Sequence, residues 1–508
     1  MPVLPAARCG CLGGVVRRTL YRTAGLAALV CAAALAAQVR QPAVAGAFYP
    51  ADEKELAAMV DGFLAQVHPP AVEGTILALV SPHAGYPYSG GVAANGYSLL
   101  RGKHFDRVVL IAPTHVVGFS WASIYDGDAY ATPLGMVEVD KAFARKLADG
   151  SVIRLSGEGH AMYNGRGEHA VEVQLPFLQR VLGTFKLVPI VMGDQSYDSC
   201  RAVGLAVAKQ IKAAGGSTLI VASSDLSHYH RYDDAVAMDR KTLRAVEEWD
   251  YLSMSANFDR QLWEACGGGP IITAMIATER AGAVPKLLKY ANSGDTTGDR
   301  KAVVGYGSMV FFKPLKAAAA AMPEFSLSDA EKSELLALAR RSVETAVRQQ
   351  KLLADVPVKF ESFSQERGAF VTLKEKGQLR GCIGYIAPSK PLAETVRDVA
   401  AAAAVEDHRF RPVEPSELGA IEYEVSVLSP MRRVLDVNQI QVGKHGLVMR
   451  KAHASGLLLP QVPVEEHWDL KTFLEETCRK AGLPAGAWRD ADTDIFSFTA
   501  LVFNERKH

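Results

Sequence analysis

Unbroken apolar runs, each closed by a short polar motif, organise the first half of this chain. They are residues 75–80 (Thr-Ile-Leu-Ala-Leu-Val), 107–112 (Arg-Val-Val-Leu-Ile-Ala) and 218–222 (Thr-Leu-Ile-Val-Ala). Runs without polar alternation predict strands buried on both faces, as in a helix-covered sheet. The motifs that follow are Ser81-Pro82-His83, Pro113-Thr114-His115 and Ser223-Ser224-Asp225-Leu226-Ser227-His228. If the strands lie parallel, their carboxyl ends share one edge, where open α/β sheets hold their ligands. Imidazoles and a carboxylate from distant stretches would then converge. Leu56, Met59, Val60, Phe63 and Leu64 stand at helical spacing and predict a helix over 52–67, capped by Asp52. Further helices are predicted over 170–182, 199–214 and 270–281, the last with Pro270 in its first turn, and a closing strand over 302–312. Alternating strand-like and helical stretches predict a layered α/β sheet domain over 41–316.

Residues 317–325, Ala-rich and interrupted by Pro323, read as a linker. Beyond them the pattern changes. Ser328 and Glu331 stand in capping-box register, and Leu335, Leu338, Ala339, Val343 and Val347 carry a helix onward. Strands are predicted over 368–373, 381–386 and 420–428, with an Ala-rich helix over 392–405. The result is a second, α+β domain over 326–508. No internal repeat relates the two halves.

A length of 508 residues exceeds one ordinary core and agrees with two domains. Lys+Arg 56 against Asp+Glu 55 leaves a formal charge of +1, so no overall field draws the chain to nucleic acid. No basic run interleaved with aromatics provides one locally, and nucleic acid is not an expected partner. The first forty residues differ. Arg8, Arg17, Arg18 and Arg22 precede an apolar stretch over 24–37, and Ala34-Leu35-Ala36 offers a small-residue cleavage site. This is a signal-like leader over 1–40, short for a membrane span. It predicts a periplasmic or membrane-tethered protein; the alternative is a cytoplasmic one with an Ala-rich tail. Outside the leader, Cys200, Cys266, Cys382 and Cys478 are widely spaced, which is neither a disulfide framework nor a zinc-finger pattern. Cys200, inside a predicted helix, reads as core. His104, His160 and His230 belong to no motif and read as surface residues.

Five segments carry a specific resemblance: 42–50 (Pro-Ala-Val-Ala-Gly-Ala-Phe-Tyr-Pro), 82–90, 168–177 (Glu-His-Ala-Val-Glu-Val-Gln-Leu-Pro-Phe), 223–228 and 265–271. In order and together they resemble the Memo family, which shares its fold with the class III extradiol ring-cleaving dioxygenases. The resemblance implies an iron-binding domain whose metal ligands are His83, His115 and Cys266, with Asp225 and His228 beside them. The residue chemistry is compatible, since neutral imidazole binds Fe, Cu and Zn while thiolate favours softer metals. Cys266 lies four residues before Pro270, and the start of that predicted helix, with glycines 267–269, is expected to lower its pKa. Asp225 and His228 are candidate catalytic residues that orient ligands or move protons, and Glu168 and His169 are placed on the same rim. Ring-cleaving enzymes use two histidines and one carboxylate; with Cys266 as third ligand, their activity does not carry over. Ser223, Ser224 and Ser227 raise a serine-hydrolase alternative. Against it, no G-x-S-x-G is present and Asp225-x-x-His228 gives no serine–base–acid order. No Walker or Rossmann glycine motif is present either.

In the second domain, Leu379-Arg380-Gly381-Cys382-Ile383-Gly384, with 367–373, 406–412 and 422–430, resembles the AMMECR family. Arg380, Cys382, Glu406 and Asp407 could line a polar cleft; equally, Gly381 and Gly384 could shape a turn with Cys382 packed as a small hydrophobe. Memo and AMMECR proteins co-occur with a radical-SAM protein in the AmmeMemoRadiSam system, so the resemblance implies that partner. Two readings follow. One is an oxidoreductase-like protein holding Fe(II), with Cu or Zn as alternatives, and taking a small-molecule or peptide ligand. The other is a non-catalytic metal-binding or peptide-binding adaptor.

Overall fold

The computed structural model describes residues 37–315, 325–356, 358–386 and 390–505. Residues 1–36 of the expected leader and 317–324 of the expected linker lie outside the described residues. Four parallel strands form the middle of a nine-stranded sheet, in the order Gly74–Ser81, Thr218–Ser223, Arg107–Pro113 and Lys186–Met192. Their uninterrupted apolar character has a simple cause. Val109 and Ile111 enter one buried cluster, while Val108 and Leu110 enter another on the opposite face. Pairing of Ser81 with Ser223 and of Pro113 with Met192 brings the carboxyl ends level. The strand Val303–Pro314 closes the domain, antiparallel to Gly74–Ser81 and to Val284–Asn292.

The helices follow local signals closely. Asp52 caps Glu53–Gln66, accepting from the backbone N–H groups of Lys54 (2.9 Å) and Glu55 (3.0 Å). Ser196 caps Tyr197–Ala214, and Ser328 with Glu331 forms the capping box of Asp329–Gln349. The expected helix over 170–182 is shorter. A 3-10 turn, Glu172–Gln174, precedes an α-helix over Leu175–Leu182. Pro176 inside a helix begun at 170 would meet the carbonyl of Glu172 and offer no N–H, so α geometry starts beside it. Two further expectations are corrected. Arg40, assigned to the leader, lies in the strand Val39–Arg40, pairs with Ala129–Thr132, and is buried against Glu172. His160 is buried rather than surface, bonded to Ser123 O (3.0 Å) and to the Tyr130 hydroxyl, and burial lowers its pKa to about 4.

The second domain is a seven-stranded sheet covered by Asp329–Gln349 and Leu392–Val405, which bury Leu335, Ala339, Val343, Val396 and Ala400. A smaller core gathers Ile440, Leu447, Met449, Phe473, Leu474 and Cys478. The domains do not hang apart. Leu428, Met431, Val448, Phe496 and Phe498 join the same buried cluster as Tyr251 and Met254 of the first domain. Asp494, 2 % exposed, accepts from the Tyr197 hydroxyl (2.9 Å) and pairs with Arg201 and Arg433. Arg367 and Glu248 form a second, bidentate pair at 2.9 and 2.6 Å. No helix among the described residues is long and apolar enough to cross a membrane.

Asp494→Ala leaves Arg433 buried without its partner, so it should cost about 3–5 kcal/mol. Calorimetry should show one cooperative transition at lower temperature. A variant melting like the wild type would mean that this contact does not hold the halves together.

Candidate metal centre

His83 follows the strand Gly74–Ser81 and is 1 % exposed. Its backbone N–H donates to Asp225 Oδ1 at 2.8 Å, and its Nδ1 lies 2.9 Å from Ser223 Oγ. The direction of that second bond follows from the other partners of Ser223. The hydroxyl donates to Ala170 O (2.6 Å) and accepts from Gln174 Nε2 (2.8 Å). The Gln174 amide is itself oriented, because the Tyr97 hydroxyl donates to its Oε1 (2.6 Å) and its Nε2 donates to Pro82 O (2.9 Å). A hydroxyl has one proton and two lone pairs. With its proton directed at Ala170, Ser223 accepts from His83. Nδ1 therefore carries the hydrogen and Nε2 keeps its lone pair. Burial, and then the neighbouring His115, hold the imidazole far below its ordinary pKa, so it is neutral.

That Nε2 faces Cys266 Sγ at 3.1 Å and Asp225 Oδ2 at 3.9 Å. The Cys266 loop is pinned on both sides. Gln195 Nε2 donates to Cys266 O (2.9 Å), Gly269 N–H donates to Gln195 Oε1 (2.8 Å), and Gly267 N–H donates to Ser224 Oγ (3.0 Å). A Cβ on residue 267 would stand 2.2 Å from Ser223 O, so only glycine allows this approach. The helix Gly268–Glu279 begins here, yet the expected low thiol pKa is not found. Burial, followed by the Asp225 carboxyl, pushes Cys266 well up. Desolvation outweighs the helix terminus. Burial likewise raises Asp225, against the N–H groups of His83 and Ala84 that it accepts.

His115 follows the strand Arg107–Pro113 and faces solvent, its side chain 29 % exposed. Its Nδ1 lies 2.9 Å from Glu168 Oε1, and its backbone N–H donates to Oε2. Burial opposes ionisation of Glu168, but bonds from His115 and Ala170 and the charges of His115 and His169 prevail, holding its carboxyl at about 2. An ionised Glu168 makes His115 Nδ1 the donor and leaves Nε2 free.

Donor atoms within 4.8 Å of one another form two groups among the described residues: His83, His115 and His169, and His83, Asp225 and Cys266. The three expected ligands are thus distributed over both, with His83 common to each. His228 donates its backbone N–H to Glu264 (3.2 Å) and acts electrostatically on Asp225 and His83, but joins neither group.

The model for the Memo-like protein family matches residues 40–310. This chain belongs to that family. The AMMECR1 model matches residues 336–503, so the chain fuses a Memo-like domain to an AMMECR domain. A MEMO1 family protein of Methanopyrus kandleri is 38% identical over 289 residues, covering 54% of this chain and 98% of that protein. One from Aeropyrum pernix is 38% identical over 282 residues, 53% of this chain and 98% of its own. An uncharacterized protein of known structure from Pyrococcus horikoshii is 40% identical and covers 36% of this chain and 95% of that one, with a TM-score of 0.34.

Within the Memo-like domain, Ser223 is no nucleophile: it is fully buried and its hydroxyl is committed to Ala170. Its orienting role, with Gln174 and Tyr97, was not legible in the motifs, although Gln174 lies inside one. In the AMMECR domain three of the four polar candidates already have hydrogen-bond or ion-pair partners. Arg380 holds Glu417 (2.8 Å), Asp407 holds Arg409, and the Cys382 N–H donates to Asp407 (2.8 Å). A Cβ at 381 would meet Ala403 O at 2.2 Å, so this glycine lets the helix Leu392–Val405 close on the strand Gln378–Tyr385.

Ser223→Ala should leave the His83 Nδ1–H and the Ala170 carbonyl without their Ser223 partner, costing about 1–3 kcal/mol in urea unfolding. It should also weaken metal binding by about 10–100-fold. Unchanged affinity would mean that Ser223 does not set the His83 tautomer.

Proposed function

We propose that this fusion is a non-haem iron-binding, oxidoreductase-like protein that works with a radical-SAM partner in an AmmeMemoRadiSam system. One observation carries the reading: a buried, neutral His83 whose Nε2 lone pair is directed at Cys266 Sγ, 3.1 Å away. His83, His115 and Cys266 would hold the ion. Imidazole nitrogen and thiolate sulfur suit Fe(II); Cu and Zn are the alternatives that metal analysis separates. Bound iron supplies a Lewis acid and a one-electron redox centre.

The chain's own residues supply the rest. Ser223 and Glu168 fix the His83 and His115 rings, and Gln195 fixes the Cys266 loop. Asp225, whose carboxyl burial pushes up, or His228 would handle a proton beside His83. A small molecule or peptide enters from the side that His115 leaves open to solvent. The AMMECR domain shares a buried core with the Memo-like domain and serves the same process. The basic, apolar leader supports export or tethering.

Anaerobic purification with metal analysis should give about one iron per chain. His83→Ala should lose it, while His115→Ala and Cys266→Ser should weaken it. Stoichiometric iron in all three variants would remove the site. Because the Cys266 thiol must release its proton on ligation, affinity should rise about tenfold per pH unit across neutrality. A flat profile would exclude Cys266 as a ligand. Intact mass tests the leader: a mature protein retaining residues 1–36 would contradict cleavage.

A further inference from the structure

The geometry points to His169 as a direct metal ligand, completing a three-imidazole face with His83 and His115. This rests on the iron-binding reading above and adds a residue outside its ligand set. The ring nitrogens of these three histidines come within 4.8 Å of one another, the same limit that the Cys266 group meets. The His115 and His169 rings lie 27° apart with centroids 4.7 Å apart, and both stand edge-on to His83, at 79° and 85°.

One carboxylate backs both rings. Glu168 Oε1 lies 2.9 Å from His115 Nδ1 and 3.5 Å from His169 Nδ1. Metal-bound imidazoles regularly turn their second ring nitrogen toward a carboxylate, which fixes the ring and raises its basicity. His115 Nδ1 bonds Glu168, and His169 Nδ1 lies on the same side of the carboxylate without a hydrogen bond to it, so the Nε2 atoms of both rings are left for a cation. His169 is held in this pose. Its backbone N–H donates to Glu168 Oε1 (2.8 Å), and its ring packs on Phe48 with centroids 4.8 Å apart. Three protein ligands are enough to hold a divalent ion. Loss of Cys266 alone therefore leaves a working nitrogen site.

Anaerobic titration of the full-length apo protein with Co(II) tests this, because sulfur-to-metal absorption reports thiolate ligation separately from binding. Cys266→Ser should still bind one Co(II) per chain, without the thiolate band. His169→Ala should keep the band at saturation but bind more than about 100-fold more weakly, beyond what an orienting residue costs. His169→Asn, which keeps a polar side chain without a basic ring nitrogen, should match it. The double variant Cys266→Ser/His169→Ala should bind none. Apo melting curves show whether each variant is folded. Wild-type affinity in folded His169→Ala or His169→Asn overturns the assignment. If His83→Ala also binds like the wild type, the metal centre itself fails; if His83→Ala is silent, only His169 does.

Discussion

The hydrogen bond from His83 Nδ1 to Ser223 Oγ ties the fold of the first domain to its chemistry. It joins residues that follow and end two neighbouring parallel strands paired through Ser81 and Ser223. A slip of one residue would turn Ser223 to the other face of the sheet. The same hydroxyl reaches Ala170 and Gln174, and so anchors the segment that carries Glu168. Glu168 in turn orients His115 from a third strand end. One buried serine thus sets the geometry of three separate stretches of chain.

Burial sets the electrostatics of the candidate centre. Burial lowers His83, raises Asp225 and raises Cys266, so each group is driven toward its neutral form. A bound metal reverses that preference, because ligation replaces lost hydration and displaces the thiol proton. The second domain bears on this arrangement through a short segment. Gln195 holds the Cys266 loop, and two residues later Tyr197 donates to Asp494 across the domain boundary. The interface and the candidate centre therefore share a support at the start of the helix Tyr197–Ala214.

Much of the fold was legible in the sequence because burial on both faces leaves no alternation in strands such as Arg107–Pro113. Caps at Asp52 and Ser328 were legible because their chemistry is local. The gathering of His83, His115 and Asp225 at one edge follows from parallel strands alone. Other features depend on distant partners. The Ser223 bond direction needs Ala170, Gln174 and Tyr97 together. Arg40 reads as leader until Glu172 meets it, and His160 reads as surface until Tyr130 covers it. The Cys266 thiol looked activated by its helix, but depth of burial is not written in spacing. The domain contact joins residues as far apart as Tyr197 and Asp494, separated by 297 positions.

X-ray absorption at the iron edge of the anaerobically prepared protein tests the central claim most directly. A sulfur scatterer together with at least two imidazole nitrogens around the iron is the predicted result. A shell of oxygen donors alone, without sulfur or imidazole, would contradict a centre built on His83.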